Sequence, residues 1–284
     1  MTEQEKSNLF QVFCINLKER TDRWNRFSNQ PGFQRLAHTY PFERLEGVNG
    51  KMLDIKNDNR ISLRTKRNIL YQKRRDHEDL DTAGGIGCYL SHYTCWQKFL
   101  QGRSQYCLIF EDDAEVPLNF QDKLEAALAD VEQEGLKRPE IWLLGRPWGP
   151  AMRKALDAND IQYTGDWAYD VVGPLTGYIL SRNAASILSE NAFPIDGHVD
   201  HFMHRCAQMG MVTICHNKTI VLKQVGLKLK DSDIQQKSSC DICDLPDAPR
   251  RKGYIILSNT TVNAITAGVL CVGALLAIRT FAKK

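Results

Sequence analysis

The sequence predicts an α/β fold on a mainly parallel sheet, and three observations predict it. Short apolar runs alternate with longer amphipathic stretches along most of the chain. Those runs are continuous rather than alternating, as in "QVFCINL" (11–17), "YCLIF" (106–110) and "EIWLLG" (140–145), which marks strands covered on both faces. Glycines and polar clusters punctuate the joins between them.

Taken in order, "QVFCINL" is rich in β-branched and aromatic residues and reads as a buried first strand. "KERTDRWNRF" follows at once and reads as a helix entered from it, with Trp24 and Phe27 three apart. Residues 56–81 are crowded with charge, including Arg64, Lys66, Arg67, Lys73, Arg74 and Arg75. They form either a solvated face or a basic rim around an acidic substrate. "AGGIGCYLSHYTCWQKFLQG" (83–102) pairs a glycine-rich turn with a helix whose apolar face is Cys88, Leu90, Tyr93, Trp96, Phe99 and Leu100, closed by Gly102. "YCLIF" is the next strand, "PLNFQDKLEAALADVEQEG" an amphipathic helix, and "EIWLLG" a further buried strand. "DVVGPLTGYILS" (170–181) supplies another strand and "RNAASILSEN" another helix. In "PIDGHVDHFMHRCAQMG" a loop leads into a helix, and "MVTICH" and "TIVLKQ" are late strands.

Within this order, "LIFEDDAEV" (108–116) places Glu111, Asp112 and Asp113 directly after a buried strand. Neighbouring like charges repel and are costly to bury without partners, so such a triplet is either a solvated turn or a site for a divalent cation. Ligands of parallel sheets sit beyond the carboxyl ends of the strands, where this triplet lies. That position favours function, with Mg²⁺ or Mn²⁺ as the ion suited to oxygen ligands.

A net charge of only +3 on 284 residues argues against nucleic acid as a partner. The start "MTEQEKSNLF" has neither a basic nor an apolar signal region, so no secretory leader is expected. The nine cysteines are then expected as free thiols, and the sequons at Asn217 and Asn259 as silent. Cys240 and Cys243 form a lone C-x-x-C without a second pair nearby, and zinc is not expected there. His198, His201 and His204 are spaced like metal ligands but lack matching carboxylates.

Between Lys252 and Arg279 lie 26 uncharged residues, "GYIILSNTTVNAITAGVLCVGALLAI". As a helix they would extend roughly 39 Å, more than the roughly 30 Å of a hydrocarbon core. Ala264/Gly268 and Gly273/Ala277 give small-xxx-small spacing, and both flanks are basic. The run is either a buried terminal helix or a membrane anchor. It is taken as a single-pass C-terminal anchor (254–278), with the catalytic domain on the cytosolic side.

Four segments recur in one order: "VFCINLKERTDRW", "GGIGCYLSHYTCWQK", "LIFEDDAEV" and "GPLTGYILSRNAASIL". Together, and closed by "PIDGHVD" and by Gln224, Ser232, Asp233 and Ile234, they resemble glycosyltransferase family 25. That family includes bacterial lipooligosaccharide glycosyltransferases and procollagen galactosyltransferases. The resemblance covers neither the basic stretch before Gly84 nor the tail. It implies a GT-A-type, Rossmann-like nucleotide-sugar-binding domain over residues 8–235, followed by a linker (236–253) and the terminal apolar helix. The implied donor is a UDP-sugar, with Mn²⁺ or Mg²⁺ in many members, and the implied acceptor is a glycan, a lipid-linked glycan or a protein.

Residue by residue, the resemblance implies metal ligation by Glu111 and Asp113, with Asp112 turned towards ribose or sugar. Arg20 and Arg23 would grip the base, ribose or diphosphate, or else stand as exposed helix arginines. Gly85 and Gly87 would let backbone approach the donor, and Ser91 and His92 would face it from the helix start, unless Ser91 merely caps that helix and His92 is merely packed. Thr176 and Gly177, with Tyr178, would shape the sugar pocket, unless Tyr178 is simply core. Transfer in this family inverts, so a carboxylate must take the acceptor proton: Asp200 first, Asp196 second, either of which is alternatively a helix cap. The function implied is transfer of a hexose, galactose or glucose, from a UDP-sugar to an acceptor hydroxyl. The alternative is a catalytically degenerate nucleotide-sugar-binding or interaction module at a membrane. A metal-dependent nucleotidyltransferase or phosphohydrolase finds no P-loop to support it.

Overall fold

A computed structural model describes residues 8–74, 79–133, 140–145, 163–164, 166–169, 173–225, 234 and 239–240. The chain divides into two units, Met1–Cys243 and Asp244–Lys284, and all described residues lie in the first. Most of the linker and the whole of the run 254–278 fall outside them. Among the described residues no helix is long and apolar enough to cross a membrane.

The elements follow the order read from the sequence, with additions. Strand β1 (Phe10–Asn16) leads into helices α1 (Thr21–Ser28) and α2 (Pro31–Thr39) and then β2 (Phe42–Glu46). Helix α3 (Leu63–Tyr71) and the two-residue β3 (Lys73–Arg74) occupy the basic stretch, ahead of the long α4 (Ala83–Gln101). Next come β4 (Tyr106–Glu111), β5 (Ala114–Glu115), α5 (Phe120–Gln133), β6 (Ile141–Leu143), β7 (Tyr163–Thr164) and β8 (Trp167–Tyr169). The described chain continues through β9 (Gly177–Ser181), α6 (Arg182–Glu190), α7 (Val199–Gln208), β10 (Ile214–Asn217), β11 (Lys223–Gln224) and β12 (Ser239–Cys240).

Eight strands form one sheet in the order β2-β1-β4-β9-β6-β10-β8-β7. β1 pairs in parallel with β2 and β4, and β6 with β10, whereas β9 runs antiparallel to both β4 and β6. β8 is likewise reversed between β10 and β7. Six strands therefore share one direction, and the sheet is mixed but mostly parallel. A continuous apolar run records burial on both faces, not strand direction, so "GYILS" carried no sign of its reversal.

Side-chain alternation divides the core into two layers. Phe10, Val12, Cys14, Leu108 and Phe110 pack with Phe27, Phe33, Leu36, Phe120 and Leu124 of α1, α2 and α5. On the opposite face Phe13, Ile109, Tyr178 and Leu180 pack with Trp96, Phe99, Leu188 and Met203 of α4, α6 and α7. Helix α4 is covered on most sides, with Ile86, Tyr89, Leu90, Ser91, His92, Cys95, Trp96 and Phe99 all buried. Its hydrophobic stripe is therefore wider than the predicted face, and Cys88 and Tyr93 lie at its half-buried margins. The six cysteines whose side chains are described are free. Asn217 is buried, its side-chain oxygen accepting from the Thr219 amide and hydroxyl.

Candidate functional site

At its carboxyl end β4 runs into the acidic triplet, and the structure sends the three carboxylates to three environments. Glu111 closes the strand; its amide donates to the Thr176 carbonyl (3.1 Å), and its side chain faces α4. Asp112 and Asp113 form the turn into β5, which pairs with β11. Gln30 braces that turn region, its amide donating to the Ala114 carbonyl (2.8 Å) and its carbonyl accepting from Val116 (2.7 Å). The triplet is thus strapped into the fold rather than displayed on a free loop.

Asp112 is buried on the α1 side. It accepts from the Asn16 amide (2.6 Å) and from Arg23 (3.2 Å). Burial raises its carboxyl above the ordinary range, and these two partners oppose the rise. Asn16 also donates to the Arg20 carbonyl (3.1 Å) and accepts from Arg44, whose guanidinium lies 4.7 Å from the centre of the Trp24 ring. Arg20 pairs with the neighbouring Asp22 (2.9 Å). Asn16 and Arg44 were not assigned roles from sequence; only the position of Asn16 at the end of a strand signalled it.

Asp113 accepts from Gln224 (2.9 Å), and its backbone carbonyl accepts from Val225 (2.8 Å). Its second carboxyl oxygen is buried without a hydrogen-bond partner among the described residues. Burial, then the charge of Glu111, push this carboxyl up to about 7. An acid held against its own ionisation, beside a second acid and with one oxygen unsatisfied, fits the site of a divalent cation.

Two expectations for α4 are corrected. Its N-cap is Thr82, which accepts from Gly85 (3.1 Å), so the glycines belong to the first turns of the helix. Ser91 and His92 therefore lie well inside it, not at its start. Ser91 donates to the Gly87 carbonyl (2.7 Å) and accepts from Val48 (2.8 Å), tying a loop to the helix. A Cβ on Gly87 would stand 2.3 Å from the Val48 oxygen, so the close approach there is to that loop. A Cβ on Gly85 would meet Leu80 and Thr82 at 3.1–3.2 Å. At Gly177 it would meet Leu222 at 2.5 Å, and Thr176 and Tyr178 are almost fully buried.

His92 is buried, its Nδ1 3.0 Å from the Tyr178 hydroxyl and its Nε2 3.4 Å from Glu111. Trp96 donates to that same hydroxyl (2.9 Å). Cys88, one turn before His92, completes the one group of three metal-ligating side chains among the described residues. Its thiol is raised first by burial and then by the charges of Glu111, Asp200 and Asp113. Those charges act together on one atom, which brings Asp200 into the field of the triplet.

Asp200 lies in the first turn of α7, whose N-cap is His198, and accepts from the His201 amide (2.8 Å). Asp196 is engaged by Arg205, and Arg64 binds its backbone carbonyl (3.2 Å). Neither aspartate caps the helix. The His198 and His201 ring centres are 6.2 Å apart, and His198, His201 and His204 supply no metal group among the described residues. Asp166 pairs with Lys218 (2.7 Å), while Ser232 and Asp233 lie outside the described residues.

A mostly parallel sheet with helices on both faces and a cluster of carboxylates at a strand's carboxyl end defines an α/β ligand-binding domain. Residues 10–149 match the profile of glycosyltransferase family 25 (LPS biosynthesis protein), so that segment is similar to this family. It is 28% identical over 152 residues to the human "Inactive glycosyltransferase 25 family member 3", covering 52% of this chain and 24% of the relative. To human procollagen galactosyltransferase 2 it is 26% identical over 202 residues, 70% of this chain and 30% of the relative. To procollagen galactosyltransferase 1-A of Xenopus laevis it is 30% identical over 139 residues, 49% and 22% respectively. The chain therefore spans less than a third of the length of these relatives.

Proposed function

We propose that the chain transfers a hexose, galactose or glucose, from a UDP-sugar to a hydroxyl of a glycan, lipooligosaccharide or protein acceptor, with inversion and metal assistance. The observation that carries this reading is the half-buried Glu111 and Asp113 at the strand end within the family-25-like segment, where one Asp113 oxygen is buried without a partner among the described residues. The pair would hold Mn²⁺ or Mg²⁺, which when bound would neutralise charge building on the departing diphosphate. Arg23, fixed beside Asp112, offers a guanidinium to the same anionic group. Asp200 takes the proton of the acceptor hydroxyl as its oxygen attacks the anomeric carbon opposite the leaving UDP, which inverts the configuration. Asp196 is less available for that step because Arg205 already neutralises it.

The test is a screen of nucleotide sugars on the full chain, reading UDP release with Mn²⁺ and with EDTA. UDP-galactose or UDP-glucose should be turned over in a chelation-sensitive way, and turnover indifferent to EDTA removes the metal from the mechanism. A second reading, a degenerate donor-binding module, is favoured by the word "inactive" in the names of two relatives. It predicts binding of UDP without turnover.

A further inference from the structure

Behind the triplet, Cys88 and His92 project from consecutive turns of α4 towards Glu111. The Cys88 sulfur, a ring nitrogen of His92 and a Glu111 carboxyl oxygen all lie within 4.8 Å of one another. His92 is 1% exposed, and its Nε2 has no hydrogen-bond partner among the described residues. A buried imidazole nitrogen beside a carboxylate and a thiol, without a hydrogen bond of its own, is a nitrogen that a metal ion can take up once its proton is displaced. We propose that Cys88, His92 and Glu111 form a binding site for a borderline-soft divalent cation, Zn²⁺ in particular, distinct from the Glu111–Asp113 centre and sharing only Glu111 with it.

The ligand set and the spacing both fit. Zn²⁺ takes thiolate, imidazole and carboxylate together, whereas Mn²⁺ and Mg²⁺ favour oxygen alone. Tetrahedral ligation with metal–nitrogen and metal–oxygen bonds of about 2.1 Å separates the two atoms by roughly 3.4 Å, and His92 Nε2 stands 3.4 Å from Glu111. Three protein ligands leave a fourth position open. The outer shell is also in place, because metal-bound histidines usually bond through the other ring nitrogen. Here that nitrogen meets the Tyr178 hydroxyl at 3.0 Å. Trp96 donates to the same oxygen, which has a second lone pair for His92 Nδ1–H. Without metal the hydroxyl donates to Nδ1 and leaves Nε2–H facing Glu111; with metal it turns to accept. Binding also displaces the Cys88 thiol proton to solvent, leaving the thiolate on the ion.

The consequence is competition. An ion held by Cys88 and His92 draws Glu111 out of the acidic pair, so Zn²⁺ is expected to inhibit any Mn²⁺-dependent activity rather than support it. The site itself stands without the transfer reading. Its test is spectroscopic, on the full chain, with Co²⁺ as the probe. One equivalent of Co²⁺ should produce a thiolate-to-cobalt charge-transfer band, lost in Cys88→Ser and displaced by Zn²⁺. Tyr178→Phe should weaken Zn²⁺ binding by roughly 10–100-fold, as outer-shell changes do, and His92→Gln by more. In the unmutated chain, Zn²⁺ should slow alkylation of Cys88, a readout that survives if a variant fails to fold. No band in the wild type, a band retained in Cys88→Ser, or Cys88 alkylated equally with and without Zn²⁺ overturns the proposal. Asp113→Asn should keep the band while losing Mn²⁺-dependent UDP binding, so each reading can fail without the other.

Discussion

Asp113→Asn separates the cost of a buried carboxylate from the benefit of a metal ligand. Burial and the Glu111 charge move the Asp113 carboxyl from 3.8 to about 7. A gap of roughly 3 pH units corresponds to about 4 kcal/mol of penalty on the ionised folded form, at about 1.4 kcal/mol per unit. Because the folded value lies above the unfolded one, the folded chain holds the extra proton between about pH 4 and pH 7. Its stability falls as pH rises through that window, and above it the penalty is complete. Asparagine keeps the shape and removes the charge, and the Gln224 amide can turn over to keep a hydrogen bond to it. In EDTA at about pH 8.5, Asp113→Asn should therefore melt higher than wild type. At about 2–4 °C per kcal/mol the gain is on the order of 10 °C, and it should nearly vanish near pH 4. Mn²⁺ should reverse the order, since only the wild type gains stability from binding it. Thermal unfolding at both pH values, in EDTA and in Mn²⁺, is the assay. A variant less stable than wild type at high pH in EDTA, or one that keeps the Mn²⁺-induced rise, refutes the reasoning.

Asp200→Asn should leave UDP affinity near wild type while transfer falls on the order of 10²-fold or more. Asp196→Asn, which removes only a half-exposed ion pair with Arg205, should cost no more than about 1 kcal/mol and leave transfer intact; kinetics with calorimetry on both variants decides. Gly87→Ala drives a methyl into the Val48 backbone and should destabilise the fold by about 1–3 kcal/mol. The folded fraction should still bind UDP normally, and a selective loss of UDP affinity would instead place the donor beside Gly87. From the sequence of the tail, the full chain is expected to resist carbonate extraction from membranes and a chain ending at Lys252 to be released.

The strands and the acidic triplet were legible because burial on two faces leaves continuous apolar runs and because "FEDD" breaks one of them abruptly. Strand direction was not legible, since β9 has the same apolar character as the β4 and β6 strands it runs against. The second half of α4 was read well, but its start was masked by glycines that usually signal a turn. Here Gly87 lets the helix pack against Val48 and Gly50. Helix α3 was hidden in a charged stretch because only its Ser62 cap and the buried Thr65 and Asn68 mark it, none of them apolar. Within the site, "EDD" announced carboxylates but not their separation between Asn16, Gln224 and His92, which depends on contacts about 20 to more than 100 residues apart in sequence. Cys88 and His92 have helical i, i+4 spacing, yet Cys88 sat within a predicted apolar face, where a thiol passes for an ordinary small hydrophobe.

Calorimetry of UDP binding to the full chain tests the central claim most directly, with Mn²⁺ present or chelated and with Asp113→Asn as comparison. The account predicts Mn²⁺-dependent binding to the wild type that is lost both in EDTA and in Asp113→Asn. UDP that binds equally well in EDTA, or equally well to Asp113→Asn, would contradict it.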